Sequence, residues 1–330
     1  MYNNSNLSGE SLQEILKISH LSKKFGNNTV LKDINLSLNS GEILSILGGS
    51  GCGKSTLLRI IANLETADGG DIELLGDEVC KNGVCSKNKK VGMMFQNYAL
   101  FPHINVAENI AFALHALPKN RRNQKVLELL DKFHISELKD KMIDKISGGQ
   151  AQRVAFARAV ANEERLLLLD EPFANLDSHL KNMLRNELKA MIKENSLSAI
   201  MVTHDKFDAF LLSDKIALIS KGEVLACATP RELYFDPKTA EIAKFLGDIN
   251  EINPDATSNL PAKFKNWLEA KNFMFRPEEI ISSNEFEAKV VSSQFLGANY
   301  KLELDFMGVR FHTFVSSIYN VNNSFKFGLA

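Results

Sequence analysis

No stretch of the chain approaches the roughly 18 uninterrupted apolar residues that would mark a membrane-spanning helix, so any membrane role must come through a partner. The opening residues, Met1 to Glu14, are polar and carry no apolar secretion-signal core, and the chain is expected to stay in the cytoplasm. Neither sign of charge is in excess: 39 Lys and Arg stand against 40 Asp and Glu, a net charge of -1. There is thus no global basic field to hold a phosphate backbone, and no nucleic-acid partner is expected. Cysteine is scarce, with only Cys52, Cys80, Cys85 and Cys227. Four in a chain this size do not make a disulfide framework. Cys80 and Cys85 bracket Lys81-Asn82-Gly83-Val84, which reads as a hairpin turn. With no second ligand pair nearby, free thiols are expected rather than a metal site.

What is present is ordinary in bulk: 330 residues, 45% hydrophobic and 24% charged. That length exceeds what one core usually holds, so two domains are expected. After a polar leader (1–14), Ile15 to Leu38 alternates apolar and polar residues around a turn at Gly26-Asn27-Asn28, as strands do. Glu42 to Leu47 reads as a buried strand, and Ser55 to Leu64 as a helix. Asp71 to Val84 reads as an antiparallel pair, Lys90 to Phe95 as a short strand, and Val106 to Ile146 as mostly helical. Gly149 to Asn162 is a further helix; Leu166 to Leu169 and Ala199 to Val202 are apolar strands. Lys215 to Ile219 and Glu223 to Ala226 flank a hairpin turn. Strands alternating with helices predict an α/β domain with a largely parallel sheet over 15–247. Asn250 to Lys263, rich in Asn, Pro, Asp, Ser and Thr, reads as a linker. The short strands Glu287 to Ser293, Tyr300 to Phe306 and Val309 to Val315 predict a small β domain over 248–330.

Gly48-Gly49-Ser50-Gly51-Cys52-Gly53-Lys54-Ser55 fits the phosphate-loop pattern G-x-x-x-x-G-K-[ST], with a strand before it and the helix from Ser55, whose next residue Thr56 is also a candidate nucleotide contact, after it. Its glycines let backbone N–H groups close on phosphate oxygens, and the helix adds the positive end of its dipole. Lys54 is placed to reach β- and γ-phosphates, and Ser55 to ligate Mg²⁺. Leu166-Leu167-Leu168-Leu169-Asp170-Glu171 delivers two carboxylates at a strand end, where ligands of open α/β sheets bind. Asp170 then suits the metal. Glu171, facing the other way by strand alternation, suits the attacking water. His204 ends the next apolar strand and could hydrogen-bond a γ-phosphate, although a lone histidine is more often structural. Gln96 ends another strand and could reach Mg²⁺ or water, and taken singly is weak evidence.

Ser147-Gly148-Gly149-Gln150 opens the helix that follows Ile146 and makes a second anion-reading surface. This resembles the signature motif of ATP-binding cassette (ABC) proteins, which usually starts with Leu. The resemblance covers about residues 15 to 245. Gln96 matches the glutamine loop, Ala174-Asn175-Leu176-Asp177 the D-loop (often Ser-Ala-Leu-Asp), and His204 the switch histidine. Phe25 sits where the family places an adenine-stacking aromatic, commonly Tyr. The resemblance implies a phosphate-loop NTPase cassette: a RecA-like sheet, an antiparallel β subdomain and a helical subdomain at about 97–150. It also implies ATP and Mg²⁺ as cofactors and a head-to-tail homodimer, in which each signature motif closes on ATP held by the other copy.

Phe275-Arg276-Pro277-Glu278 and Phe295-Leu296-Gly297 resemble elements of the oligonucleotide-binding-like accessory domain shared by maltose, polyamine, sulfate and ferric-iron importers. Phe101-Pro102-His103 and the short accessory domain most resemble the ferric-iron type. The implied setting is the cytoplasmic face of the inner membrane, held peripherally by integral-membrane permease subunits and served indirectly by a substrate-binding protein. Tyr98, Leu100, Phe101 and Pro102 are expected to line a groove for a permease helix, or else to be subdomain core. A soluble cassette acting on DNA or ribosomes fits less well. Only about 50 residues separate Gln96 from Ser147, too few for a long coiled coil, and the chain has one phosphate loop. An exporter cassette commonly lacks the accessory domain.

Overall fold

The computed structural model describes residues 13–86, 91–174 and 178–330. Contacts divide the chain into Met1–Pro230 and Arg231–Ala330. In the first unit, β1 (Glu14–Phe25), β2 (Asn28–Asn39) and β3 (Ile43–Gly48) lead into α1 (Lys54–Ile61). There follow β4 (Gly69–Leu74), β5 (Asp77–Lys81), β6 (Val84–Cys85) and β7 (Val91–Met94). Next come α2 (Val106–Ala113), α3 (Lys119–Lys132), α4 (Gly148–Ala159), β8 (Leu166–Asp170) and α5 (Ser178–Glu194). The unit closes with β9 (Ser198–Thr203), α6 (Lys206–Leu212), β10 (Lys215–Ser220) and β11 (Glu223–Ala228). Its main sheet has the order β11-β10-β3-β9-β8-β7, parallel except for the β11 edge. Strands β3, β8 and β9 are mostly apolar and, apart from Asp170 at the end of β8, buried along their length because both faces are covered. A second, antiparallel sheet runs β2-β1-β4-β5-β6.

One apolar core lies between the two sheets around α1, and another gathers α2, α3, α4 and α5 on the main sheet. The α2–α4 region is the expected helical subdomain. Its helices are better bounded than the sequence reading: α2 starts at Asn105 with a capping box to Glu108, and α3 follows Pro118. Cys80 and Cys85, expected as free thiols, are instead joined as a disulfide. The β5–β6 register sets Cys80 opposite Cys85 and Lys81 opposite Val84, leaving Asn82-Gly83 as a two-residue turn. Counting cysteines does not reveal that pairing; the hairpin register does.

The second unit holds α7 (Pro230–Phe235), which straddles the division, α8 (Ala240–Leu246), β12 (Asn250–Glu251) and α9 (Ala262–Ala270). Then come β13 (Met274–Phe275), β14 (Ile280–Phe295), β15 (Tyr300–Phe306), β16 (Val309–Val315) and β17 (Ser324–Leu329). The four long strands form an antiparallel sheet ordered β16-β15-β14-β17, the expected small β domain, with α9 added to it. The contact division falls inside α7, between Pro230 and Arg231, whereas the sequence reading set the second domain from about residue 248; Arg276 is one tie that groups the intervening helices with the second unit. This guanidinium is 2% exposed, donates from Nη1 to Ala243 O and Asp248 O (2.9 Å each), and lies 4.1 Å from the centre of the Tyr234 ring. It ties α7 and α8 to the Arg-Pro-Glu turn. The stretch read as a linker is also folded. Asn250 is buried and exchanges two 2.8 Å hydrogen bonds with the His312 backbone, and a 3₁₀ turn at Pro254–Thr257 leads into α9.

The core of this unit is aromatic. Phe264 of α9 is fully buried and meets Phe286, Phe306, Phe311 and Phe327 with ring centres 5.3–6.0 Å apart. Phe264→Ala removes the hub of that cluster and should cost about 3–5 kcal/mol. Trp267, the single tryptophan, is 5.8 Å from Phe264, so its emission during denaturant unfolding reads this unit directly.

Candidate nucleotide-hydrolysis site

The site forms where the carboxyl ends of β3, β8 and β9 come level. Register pairs Leu47 with Thr203 and Asp170 with Val202, so the loop after β3, the acidic end of β8 and the turn after β9 share one edge. Lys54 opens α1 and is 6% exposed; its Nζ donates to Gly48 O and Gly49 O, both at 2.8 Å. The loop thus holds its own cation pointed inward. Two glycines are required by space. A Cβ on Gly48 would lie 2.4 Å from Ile219 O, and one on Gly53 (φ +104°) 2.7 Å from Leu31 Cδ2. Gly49, Ser50, Gly51 and Cys52 make the outer bend, and Ser55 and Thr56 are half-buried at the helix start.

Ser55 Oγ donates to Asp170 Oδ1 at 3.2 Å. These two oxygen donors suit a hard divalent cation. No group of three or more His, Cys, Asp or Glu gathers elsewhere among the described residues, so further ligands would come from phosphate and water. Burial pushes the Asp170 carboxyl above the usual aspartate range, against the Ser55 hydrogen bond and nearby cations. Glu171 sits past the strand with φ +46°, and its N–H donates to Val202 O at 3.0 Å. The left-handed turn, not strand alternation, therefore aims it. Its Oε2 lies 3.1 Å from His204 Nδ1. Gln96 is exposed two residues past Met94, whose partner is Leu169, and so reaches the same edge.

A network missed in the sequence fixes the His204 turn. Arg185 of α5, 6% exposed, donates from Nε to Asp208 Oδ1 at 2.6 Å and from Nη2 to Asp205 Oδ2 at 3.1 Å. Thr203 Oγ1 donates to Asp208 Oδ2 and accepts from Asp205 N. Asp205 caps α6. Arg185 carries no local signal for this role, because its one near partner is Asn182 (2.8 Å) and the two carboxylates it pairs with are 20 and 23 residues away. Phe25 ends β1 half-exposed, and the strand after its turn abuts the phosphate loop at Val30 and Leu31. Ser147 caps α4: its Oγ accepts from Gln150 N, and Gln150 Oε1 accepts from Ser147 N. Ser147 and Gly148 face solvent, with Gly149 and Gln150 behind them. Asn175, Leu176 and Asp177 of the D-loop lie outside the described residues.

Strand, glycine loop and helix, with a carboxylate strand alongside, define a phosphate-loop NTPase. A family model described as ABC transporter matches residues 31–174. Fe(3+) ions import ATP-binding protein FbpC 1 of Pectobacterium atrosepticum is 35% identical over 90% of this chain and 88% of its own length. The spermidine/putrescine import ATP-binding protein PotA of Aggregatibacter actinomycetemcomitans is 42% identical over 74% of this chain and 65% of its own. A solved ATP-binding cassette, dimeric and bound to ADP and Pi after hydrolysis, superposes with a TM-score of 0.56 at 29% identity, covering 66% of this chain and 99% of that one. The chain belongs to the ABC transporter family, as an ATP-hydrolysing subunit coupled to import.

Two variants probe the site's electrostatics. Folding raises the affinity of Asp170 for its proton, so that contribution to stability is present below the unfolded pKa and lost as pH rises through the folded value. At neutral pH the ionised carboxylate costs stability, so Asp170→Asn should raise Tm while abolishing hydrolysis, as read by calorimetry and phosphate release. Arg185→Met leaves Asp208 buried without its cation and should cost about 3–5 kcal/mol in urea unfolding.

Proposed function

We propose that two copies of this chain close head-to-tail on two ATP molecules and drive a permease that imports ferric iron. The observation that carries the hydrolytic part is the pairing of two contacts at one sheet edge: Ser55–Asp170 at 3.2 Å and Glu171–His204 at 3.1 Å. Ser55, Asp170 and Gln96 hold Mg²⁺, which neutralises phosphate charge when bound. Lys54 and the loop N–H groups bind the β- and γ-phosphates, and Phe25 stacks on adenine. Glu171 orients the attacking water, and His204 holds Glu171 in place and steadies the γ-phosphate. Ser147 and Gly149 of the second copy complete each site, an assignment supported by the solvent-facing N-terminus of α4. Asp177, outside the described residues, is taken with them as a nucleotide-binding residue.

The permease contact falls on the helical subdomain. Arg158 donates to Tyr98 O and Ala99 O at 2.7 and 2.8 Å, holding two consecutive residues at φ +58° and +48°. Tyr98 and Leu100 pack into the core, so the groove reading narrows to Phe101, Pro102 and the 58% exposed Phe112, whose ring centre is 4.6 Å from that of Phe101. No helix among the described residues is long and apolar enough to cross a membrane, in keeping with a peripheral subunit held by such a permease on the cytoplasmic face. Iron is favoured over polyamine because the iron relative aligns through both units, 88% of its own length against 65% for the polyamine relative. A substrate-binding protein would deliver the cargo.

Vesicles carrying this subunit with its neighbouring permease should take up ferric iron on ATP addition, and Glu171→Gln should abolish both uptake and hydrolysis. Uptake of spermidine instead would move the chain to the polyamine importers. Phe101→Asp should stop uptake and leave basal hydrolysis intact; normal uptake by that variant would sink the docking assignment.

A further inference from the structure

The Cys80–Cys85 disulfide takes no part in phosphate binding, yet a short chain of contacts joins it to Phe25. Strand β6 is two residues long and forms the edge of the five-stranded sheet, so its ladder is weak by itself. The Asn82-Gly83 turn, at φ +48° and +78°, braces the loop beside it. Asn82 N donates to Asp71 Oδ1 and Gly83 N to Gly70 O, both at 2.8 Å. The fit is tight: a Cβ on Gly83 would fall 2.9 Å from the Asp68 carbonyl carbon. Asp68 Oδ2 in turn accepts from Lys24 N at 2.6 Å, and its Oδ1 lies 3.7 Å from Lys23 Nζ. That ammonium also pairs with Glu65 at 2.8 Å and stands 4.9 Å from the centre of the Phe25 ring.

We propose that Cys80 and Cys85 are a reversible oxidation site at which hydrogen peroxide closes the hairpin and tightens nucleotide binding through Asp68, Lys23 and Phe25. The coupling rests on Phe25 as the adenine-stacking residue. Cys85 is half-buried and Cys80 only 1% exposed, so the Cys85 thiolate meets peroxide first. Its sulfur attacks one peroxide oxygen, the O–O bond breaks, and a sulfenic acid forms as water leaves. The Cys80 thiolate then attacks that sulfur, the S–O bond breaks, and a second water departs as the disulfide forms. Two thiols and one peroxide give one disulfide and two waters; a cellular dithiol reverses the step by exchange. Disulfides of reducing compartments are typically of this transient, sensing kind. With the bond open, the hairpin keeps its two ladder pairs and the Ser86 N–H bond to Val79 O at 2.8 Å, and the brace on the Asp68 loop loosens.

The test uses the full chain, reduced with a dithiol and then treated with stoichiometric peroxide. Peptide mass should show loss of two hydrogens from the segment holding Cys80 and Cys85. The KM for ATP should fall roughly threefold to tenfold on oxidation, the range of a modest contact change, with kcat unchanged. The double variant C80S/C85S should stay at the reduced value and ignore peroxide. Unchanged mass, or equal KM in both states, overturns the proposal. So does a peroxide response that survives in C80S/C85S, which would place the effect at Cys52 or Cys227. Phe25→Ala run in parallel separates the two ideas. An unaltered KM in that variant removes the stacking role, whereas a raised KM with a redox-silent wild type removes the switch alone.

Discussion

Everything at the site depends on the parallel register of three buried strands. Because Leu47 lies beside Thr203 and Asp170 beside Val202, the phosphate loop, the metal-suited carboxylate and the histidine turn emerge at one level. A one-residue slip in any of these pairings would reverse the side-chain faces and separate Ser55 from Asp170. The register is held by apolar runs with almost no exposed surface, so hydrophobic burial, rather than any polar contact at the site, sets the geometry.

On that frame the polar groups are held by restraint from behind. Lys54 is anchored by the carbonyls of its own loop, and Glu171 by a backbone bond to β9 that fixes an unfavourable left-handed turn. Arg185 reaches from α5 to two carboxylates flanking the His204 turn. Each restraint reduces the conformational freedom of a side chain or turn at this sheet edge. By contrast, the Ser147 surface faces solvent with its hydroxyl turned onto its own helix. That exposed helix start is the surface to which the proposed second copy is assigned.

The second unit is built on different physics. Its sheet buries an aromatic cluster, and a single buried arginine joins its leading helices to the Arg-Pro-Glu turn. Arg276 has three backbone carbonyl acceptors and an aromatic face but no carboxylate within ion-pair distance among the described residues. Carbonyl dipoles and desolvation thus set its environment, and burial holds its guanidinium below the usual arginine range.

The sequence by itself determined the fold class, the phosphate loop, and the order of Gln96, Ser147, Asp170, Glu171 and His204, because each is a local pattern: a glycine run, an apolar strand with an acidic end, a cap before a helix. Strands β15 and β16 were legible to the residue, since strict alternation with a turn between leaves one register. Tertiary structure decided the rest. Strand β17, the folding of the presumed linker, the start of the second unit and the Arg185 network all rest on partners far away in sequence. The direction of Glu171 came from a backbone turn that composition does not encode. The Cys80–Cys85 bond depended on which residues the hairpin set face to face. Local chemistry is written in neighbouring residues; what meets across the fold is set by packing, which no short window of sequence contains.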